Sequence, residues 1–274
     1  MKQFLTSVLW LSLAGCIDLA GSNTAFCLQR PDVCGEDGGP DGGGERDSGV
    51  DAGADGGEGD SGVDAGVDGG TTDLLRCDAA GLVAWWTFDE DAGPQLSDCS
   101  PRQLHAQVVG TPFRVAGKHG LAFSFTGMNS AEVGNPPALR LSGAMSVSAW
   151  LRITSFAGSG RLISKSGSAV GWELRSDSAQ NRLAFTVAQS VTTNFTVGAS
   201  VPTGQWVHVA ATFVPGGALS LYVDGVLAAS RPGPATGFDT DAGVGMGTAF
   251  YGLVDDLRVF DRALGAAEVS ELAR

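Results

Sequence analysis

The sequence predicts an all-β fold over residues 74–274, in which two antiparallel sheets pack as a sandwich and a short helix follows at the C-terminal end. Short apolar or alternating runs recur in this part of the chain, each bounded by Gly, Pro, Ser, Asn or Asp. No helical pattern separates the runs, which excludes a parallel sheet joined by helical crossovers. Asp224-Gly225 lies between two runs, and both residue types tolerate the positive φ of a tight hairpin turn.

Alternation with period two indicates strands with one buried face. In residues 145–153, the apolar positions Met145, Val147, Ala149, Leu151 and Ile153 are expected to line that face. The helix is expected from Leu264 to Ala273. The predicted strands are residues 82–88, 121–125, 145–153, 161–165, 172–175, 183–187, 206–213, 219–223, 226–229 and 253–260.

Residues 35–73 are predicted to be a disordered linker rich in Asp and Gly. The segment has 12 acidic residues and one basic residue, Arg46, so it carries about −11 of the chain's net charge of −13. It has no aromatic side chain with which to build a core, and glycine with like charges favours an extended tether. The remaining 74–274 segment has 16 acidic and 14 basic residues, which gives no support for nucleic-acid binding.

The N-terminus has the pattern of an export signal. Lys2 precedes an apolar run that is too short to span a bilayer, and Leu13-Ala14-Gly15-Cys16 follows. This ending resembles the bacterial lipobox, which implies a lipoprotein signal peptide over residues 1–15 and an acylated Cys16. The alternative is an ordinary signal peptide with Cys16 unmodified. Because Ile17 is not acidic, we expect an exported protein held by its lipid at the outer membrane, on the periplasmic face or the cell surface.

Four cysteines remain if Cys16 carries lipid. The simplest pairing is Cys27 with Cys34, inside a short N-terminal segment 16–34, and Cys77 with Cys99. Three connectivities are open in principle, and an exported compartment favours oxidation. Zinc binding is not expected, since no Cys-x-x-Cys spacing or nearby histidine completes a four-ligand set.

Six short segments occur in the order found in one known family. They are Gly81–Glu90 (GLVAWWTFDE), Phe125–Gly127 (FTG), Val147–Leu151 (VSAWL), Trp206–Ala210 (WVHVA), Leu221–Gly225 (LYVDG) and Gly252–Leu264 (GLVDDLRVFDRAL). Together they resemble the laminin-G-like jelly-roll family, whose relatives include pentraxins and legume lectins. The resemblance implies a concanavalin A-like lectin domain over residues 74–274.

The resemblance implies binding and not catalysis. Catalytic relatives carry a Glu-x-Asp-x-Glu motif, which this chain lacks, and Glu173 with Asp177 does not complete a pair of glycosidase carboxylates. Binding relatives commonly recognise glycans through edge loops, often near calcium. We therefore expect a non-enzymatic, lipid-anchored module that binds a glycan or an envelope or extracellular protein. The alternatives are a structural or adhesive spacer without a small ligand and, least favoured, a degenerate glycoside hydrolase.

Calcium is the cofactor that the resemblance implies. In jelly rolls of this kind the first and last strands pair, which would bring Asp89 and Asp98 towards Asp255 and Asp256 and supply oxygen ligands. The alternative is that Asp255 accepts backbone hydrogen bonds and the other acids are solvated. A second candidate is the loop after Gly127, with Asn129 and Glu132.

Aromatic side chains are candidates for stacking on sugar rings. Those expected to be exposed and ligand-binding are Trp172, Phe195, Phe250 and Tyr251.

Overall fold

The computed structural model describes residues 74–168, 170–190 and 192–274. The predicted signal peptide, Cys16, the Cys27 and Cys34 pair and the linker lie outside these residues. In the described part of the chain, no helix is long and apolar enough to cross a membrane.

The described residues form strands with one C-terminal α-helix and two 3₁₀ turns, Pro137–Leu139 and Ala157–Ser159. In chain order the elements are β1 (Leu82–Trp86), β2 (Gln95–Leu96), β3 (Ala106–Val109), β4 (Arg114–Ala116), β5 (Leu121–Thr126), β6 (Ser130–Gly134), β7 (Met145–Ser155), β8 (Arg161–Gly167), β9 (Val170–Asp177), β10 (Arg182–Ala188), β11 (Asn194–Ala199), β12 (Val207–Phe213), β13 (Ala218–Val223), β14 (Val226–Pro232), β15 (Val244–Met246), β16 (Tyr251–Phe260) and α1 (Ala266–Leu272).

The strands form two antiparallel sheets, as the sequence predicts. One sheet has the order β14-β13-β12-β7-β16-β5-β4, and β1 also pairs with β16. The other has the order β11-β10-β9-β8-β15-β6-β3-β2. The antiparallel pairing of β1 with β16 confirms the expected contact between the first and last strands.

The core lies between the sheets and is built from alternate residues of the strands. Phe123, Leu151 and Phe185 are fully buried in it, together with Trp86 and Val254. Each large apolar side chain removed from water contributes roughly 1.5–3 kcal/mol. This burial is the main force that holds the two sheets together.

Strand β7 departs from the expected one-sided burial. Its inner row, from Met145 to Ile153, is buried as predicted, but Ser148 and Trp150 on the opposite face are buried too. The cause is tertiary, because Lys118 lies over the Trp150 ring with its Nζ 4.3 Å from the ring centroid. Polar side chains that cover the outer face of a strand do not change its apolar alternation, so the burial of this face could not be predicted from the sequence pattern.

The β13–β14 turn has the predicted hairpin conformation. Asp224 and Gly225 have φ values of 48° and 78°, so both central residues are left-handed. The Asp224 carboxylate accepts a hydrogen bond from the His208 backbone N–H at 2.9 Å, which ties the turn to β12.

The strands missing from the sequence prediction are short or lack clear alternation: β2, β3, β4, β6, β11 and β15. The predicted helix is present at Ala266–Leu272, within the expected range.

Candidate ligand-binding cleft

The outward face of β8, β9, β10 and β11 carries an open cleft of about 310 Å³. The lining residues are predominantly polar and come from four adjacent strands and their turns. They are Arg161, Ser166, Ser168, Gly171, Trp172, Glu173, Arg175, Thr186, Ala188, Ser190, Asn194 and Thr196.

Strand register explains why these side chains share one face. Thr186 lies opposite Glu173 on β9 and opposite Thr196 on β11. Ala188 lies opposite Asn194 on β11. Residues opposite one another on paired strands point to the same side of the sheet, so the odd positions of β9 and the even positions of β10 and β11 form the cleft floor.

An ionic cluster occupies the centre of the cleft. Glu173 Oε2 accepts a hydrogen bond from Arg161 Nε at 2.8 Å, and Glu173 Oε1 lies 3.0 Å from Arg175 Nε. One carboxylate therefore orients two guanidinium groups. The described lining residues carry two positive charges and one negative charge.

Hydroxyl and amide groups surround this cluster. The Thr186 and Thr196 hydroxyls are 2.9 Å apart, and Ser190 Oγ accepts a hydrogen bond from the Thr193 backbone N–H at 3.0 Å. Asn194 is exposed at the start of β11. The arrangement offers both donors and acceptors to a polar ligand, on strands that hold them in fixed positions.

Of the residues that line the cleft, sequence reasoning assigned Trp172 alone to a ligand-binding role. A usable signal is the alternation of the charged residues Glu173 and Arg175 with the apolar residues Trp172 and Leu174, which marks an outward face that carries charge. Their convergence with residues of β10 and β11 depends on strand order and register, which the sequence does not reveal.

The predicted aromatic residues fall into two groups. The expectation of exposure is wrong for Trp172 and Phe250, which are 2% and 0% exposed because both side chains belong to the core between the sheets. Phe195 and Tyr251 are half-buried. Arg231 lies over the Phe195 ring, 5.6 Å from its centroid, and the Tyr251 ring packs so closely on Gly127 that a Cβ there would collide with it.

Asp89 and Asp255 meet at one turn. Asp255 Oδ2 accepts hydrogen bonds from the backbone N–H groups of Lys118 and His119, both at 2.9 Å. Asp89 Oδ1 accepts one from the Leu121 N–H at 2.8 Å. The two carboxylates hold the turn that joins β4 to β5, which matches the alternative interpretation of Asp255.

Asp98 and Asp256 meet instead at Trp85. Both oxygens of the buried Asp98 are engaged, one by the Trp85 backbone N–H at 2.8 Å and the other by the Leu104 N–H at 2.7 Å. Asp256 Oδ1 accepts the Trp85 indole N–H at 2.8 Å. Arg258 lies 3.8 Å from the Trp85 ring centroid and 3.5 Å from the Asp256 carboxylate.

In the loop after Gly127, the second calcium candidate, one of the two residues hydrogen-bonds with neighbouring protein groups. Asn129 is buried, with its Nδ2 donating to the Thr111 and Ser124 carbonyls at 3.1 and 2.9 Å. Glu132 lies exposed on β6. Within the described residues, no group of three or more His, Cys, Asp or Glu side chains is placed to hold a metal ion. Asp98, Asp255 and Asn129 each use side-chain oxygens to accept hydrogen bonds from the protein backbone, and calcium binding stays a prediction.

His208 is buried on the outer face of β12. Its Nε2 lies 2.8 Å from Ser148 Oγ, and its ring packs on Trp150 at a centroid distance of 5.4 Å. Burial first, and the Arg258 charge second, lower the pKa of His208 from 6.5 to about 3, against a smaller opposing effect of Asp256. The imidazole is therefore neutral at physiological pH.

The predicted Cys77–Cys99 disulfide is present and closes a loop with a sequence separation of 22 residues. It fixes the segment before β1 to the loop after β2.

The paired antiparallel sheets, the terminal helix and the polar cleft define a lectin-like β-sandwich. The chain belongs to the concanavalin A-like lectin/glucanases superfamily, whose model matches residues 125–270. This confirms the family that the sequence motifs indicate. No curated protein matches the chain.

Solved structures share the fold. The binding domain of Paraclostridial Mosquitocidal Protein 1 aligns with a TM-score of 0.60 and 15% identity, over 70% of this chain and 52% of that chain. Domain 4 of AbnA, a GH43 extracellular arabinanase from Geobacillus stearothermophilus, in complex with arabinotriose, gives 0.58 and 23%, over 70% and 98%. The binding domain of botulinum neurotoxin DC in complex with rat synaptotagmin II gives 0.56 and 16%, over 70% and 51%. The chain spans about half the length of these toxin domains.

Proposed function

We propose that this protein is a non-catalytic module that binds a glycan in the cleft of β8–β11. The observation that carries the proposal is the set of outward hydrogen-bonding groups on adjacent strands, with Glu173, Thr186 and Thr196 at its centre. A glycan presents many hydroxyls and needs several fixed polar partners at once. The arabinanase domain, whose structure contains arabinotriose, and the toxin binding domains of the same fold support a binding role.

The composition of the cleft supports binding without catalysis. Glycoside hydrolysis by the usual mechanism needs two carboxyl groups on either side of the scissile bond. Among the described residues that line the cleft, Glu173 is the one carboxylate. Arg161 and Arg175 both contact this carboxylate, so its place in the cleft is to position the two guanidinium groups.

We infer further that a lipid on Cys16 anchors the protein to the cell envelope, at the outer membrane. The acidic linker of residues 35–73 would then act as a tether, with a random-coil length of roughly 35 Å. This arrangement would present the sandwich to glycans away from the membrane surface. The pattern around Cys16 and the linker composition support it.

A glycan array with the full-length protein tests the proposal, run in calcium and again in chelator. The discriminating variant is Thr186→Val with Thr196→Val, which removes the paired cleft hydroxyls and keeps side-chain shape. Each lost hydroxyl contact is expected to raise the dissociation constant for a glycan identified on the array by about two- to tenfold.

The matched control is Ser220→Ala with Ser230→Ala. These hydroxyls are also 2.9 Å apart across neighbouring strands, but they lie in the other sheet. The proposal is supported if the control variant binds the glycan and the cleft variant does not. Equal binding by both variants contradicts a site at the cleft, and absence of any hit favours the spacer alternative. Loss of binding in chelator alone would support calcium at the predicted acidic residues.

A further inference from the structure

We propose that the cleft selects an acidic glycan and binds its carboxylate through Arg161 and Arg175. This inference rests on the proposed function, because it names the chemical class of the glycan that the same cleft takes.

Each guanidinium group contacts Glu173 through its Nε atom, and its terminal Nη atoms are placed to donate to a ligand. Glu173 contacts each arginine at Nε, at 2.8 Å for Arg161 and 3.0 Å for Arg175. The Nη atoms of Arg161 donate to no described residue, and Arg175 Nη1 makes a single long contact, 3.4 Å to the Ser176 carbonyl. Terminal guanidinium nitrogens are the donors that bind a carboxylate in a two-pronged pair.

Charge favours an anion at this position. The described lining residues carry one net positive charge, although residues 74–274 as a whole are slightly acidic. Arginine is a positively charged donor in proteins, and the side chains of Arg161 and Arg175 are 46% and 25% exposed, so a ligand can reach them. A neutral sugar would gain no charge–charge attraction from these arginines, whereas a carboxylate would.

The surrounding groups suit the rest of a sugar ring. Ser166, Ser168 and Asn194 lie around the ionic cluster on the neighbouring strands and turns. They can exchange hydrogen bonds with hydroxyls while the arginines hold the carboxylate. Recognition by several short polar side chains around one charged anchor predicts selectivity for a uronic acid or a similar carboxylated residue.

Matched ligands test the charge directly. Full-length protein is titrated with uronic-acid oligosaccharides, including trigalacturonate and mannuronate and guluronate trimers, and with the methyl ester of each. The experiment is run at physiological ionic strength, where the Debye length of about 8 Å limits repulsion from the acidic linker. We expect at least one acid to bind on the order of tenfold more tightly than its ester.

Matched variants test the residues. Arg161→Gln and Arg175→Gln should each remove most of the preference for the acid, and Arg161→Lys should keep only part of it, because lysine retains the charge but not the planar fork. The control is Arg102→Gln, on a surface arginine with 43% side-chain exposure and a partner, Asp261, at 3.7 Å. It should bind as the wild type does.

The outcomes separate this inference from the proposed function. If neutral glycans bind as tightly as acidic ones, the acidic selectivity is overturned. If the variant with Thr186→Val and Thr196→Val also loses that binding, the cleft remains a glycan site. An acid preference that both glutamine variants retain also overturns the assignment. No binding to any acidic or neutral glycan overturns both.

Discussion

His208 makes the stability of the sandwich depend on pH. The imidazole is buried on β12 against Trp150 and Ser148, and its pKa is lowered from 6.5 to about 3, first by burial and then by Arg258. In the unfolded chain the same group takes up a proton near pH 6.5. Below that pH the unfolded state binds more protons than the folded state, so stability falls as pH falls.

The size of the effect follows from the two pKa values. Above pH 6.5 the imidazole is neutral in both states and contributes no pH dependence. Each pH unit between 6.5 and about 3 then removes about 1.4 kcal/mol of unfolding free energy. Between pH 7.5 and 5.0 this amounts to about 2 kcal/mol from His208 alone. For a domain of about 200 residues that corresponds to roughly 4–8 °C in Tm.

His208→Gln removes the titrating group and keeps a side chain able to hydrogen-bond with Ser148. We expect the variant to be less stable than the wild type at pH 7.5. Between pH 7.5 and pH 5.0, its free energy of unfolding should fall by about 2 kcal/mol less than that of the wild type. Urea unfolding at both pH values measures this difference. His105→Gln controls for the loss of a histidine and should keep most of the wild-type dependence. An unchanged pH dependence in His208→Gln would refute the buried neutral imidazole.

Three other outcomes are expected. Reduction of the Cys77–Cys99 disulfide, or its replacement by two serines, should lower the free energy of unfolding by about 3 kcal/mol, because the bond restricts the unfolded chain across a separation of 22 residues. Urea unfolding measures the change, and an unchanged midpoint would show that the disulfide does not constrain this loop. Glu268→Gln should cost about 1–3 kcal/mol at pH 7, because Glu268 accepts hydrogen bonds from both Arg262 Nη atoms at 2.9 and 2.6 Å. Arg262 lowers the pKa of Glu268 from 4.5, so this contribution should fade as pH drops below 4.5, and a cost that persists at lower pH would argue against it. Cys16→Ser should move the protein from the detergent phase to the aqueous phase in a phase-separation assay; continued detergent partitioning would exclude the lipid anchor.

Much of the fold could be predicted because its long strands alternate and its tightest turn has a specific chemistry. Strand β7 shows the period-two pattern, and Asp224-Gly225 adopts the left-handed pair that its residue types favour. The short strands β2, β4 and β15 have two or three residues each, too few for a period to be detected. Their pairing is decided by partners distant in sequence.

The site was harder to predict for the same reason. Glu173 and Arg175 were visible as charges on one strand, but their approach to Arg161 and Thr186 depends on register between three strands. The buried acids illustrate the opposite case. Asp255 is a predicted calcium ligand because acids cluster in the topology, and in the structure its carboxylate accepts hydrogen bonds from two backbone N–H groups of a turn. The sequence pattern indicates that acids near the first and last strands approach one another, but it does not reveal that they separate into two pairs or which donors each carboxylate accepts from.

Hydrogen–deuterium exchange of the full-length protein, with and without its tightest glycan from the array, tests the central claim most directly. Binding in the cleft predicts slower exchange in β8–β11, concentrated at residues 161–175 and 186–196. The turn at residues 117–121, held by Asp89 and Asp255, should exchange at the same rate in both states. Protection confined to that turn and to the loops beside it would contradict the cleft and place the ligand at the edge of the sandwich.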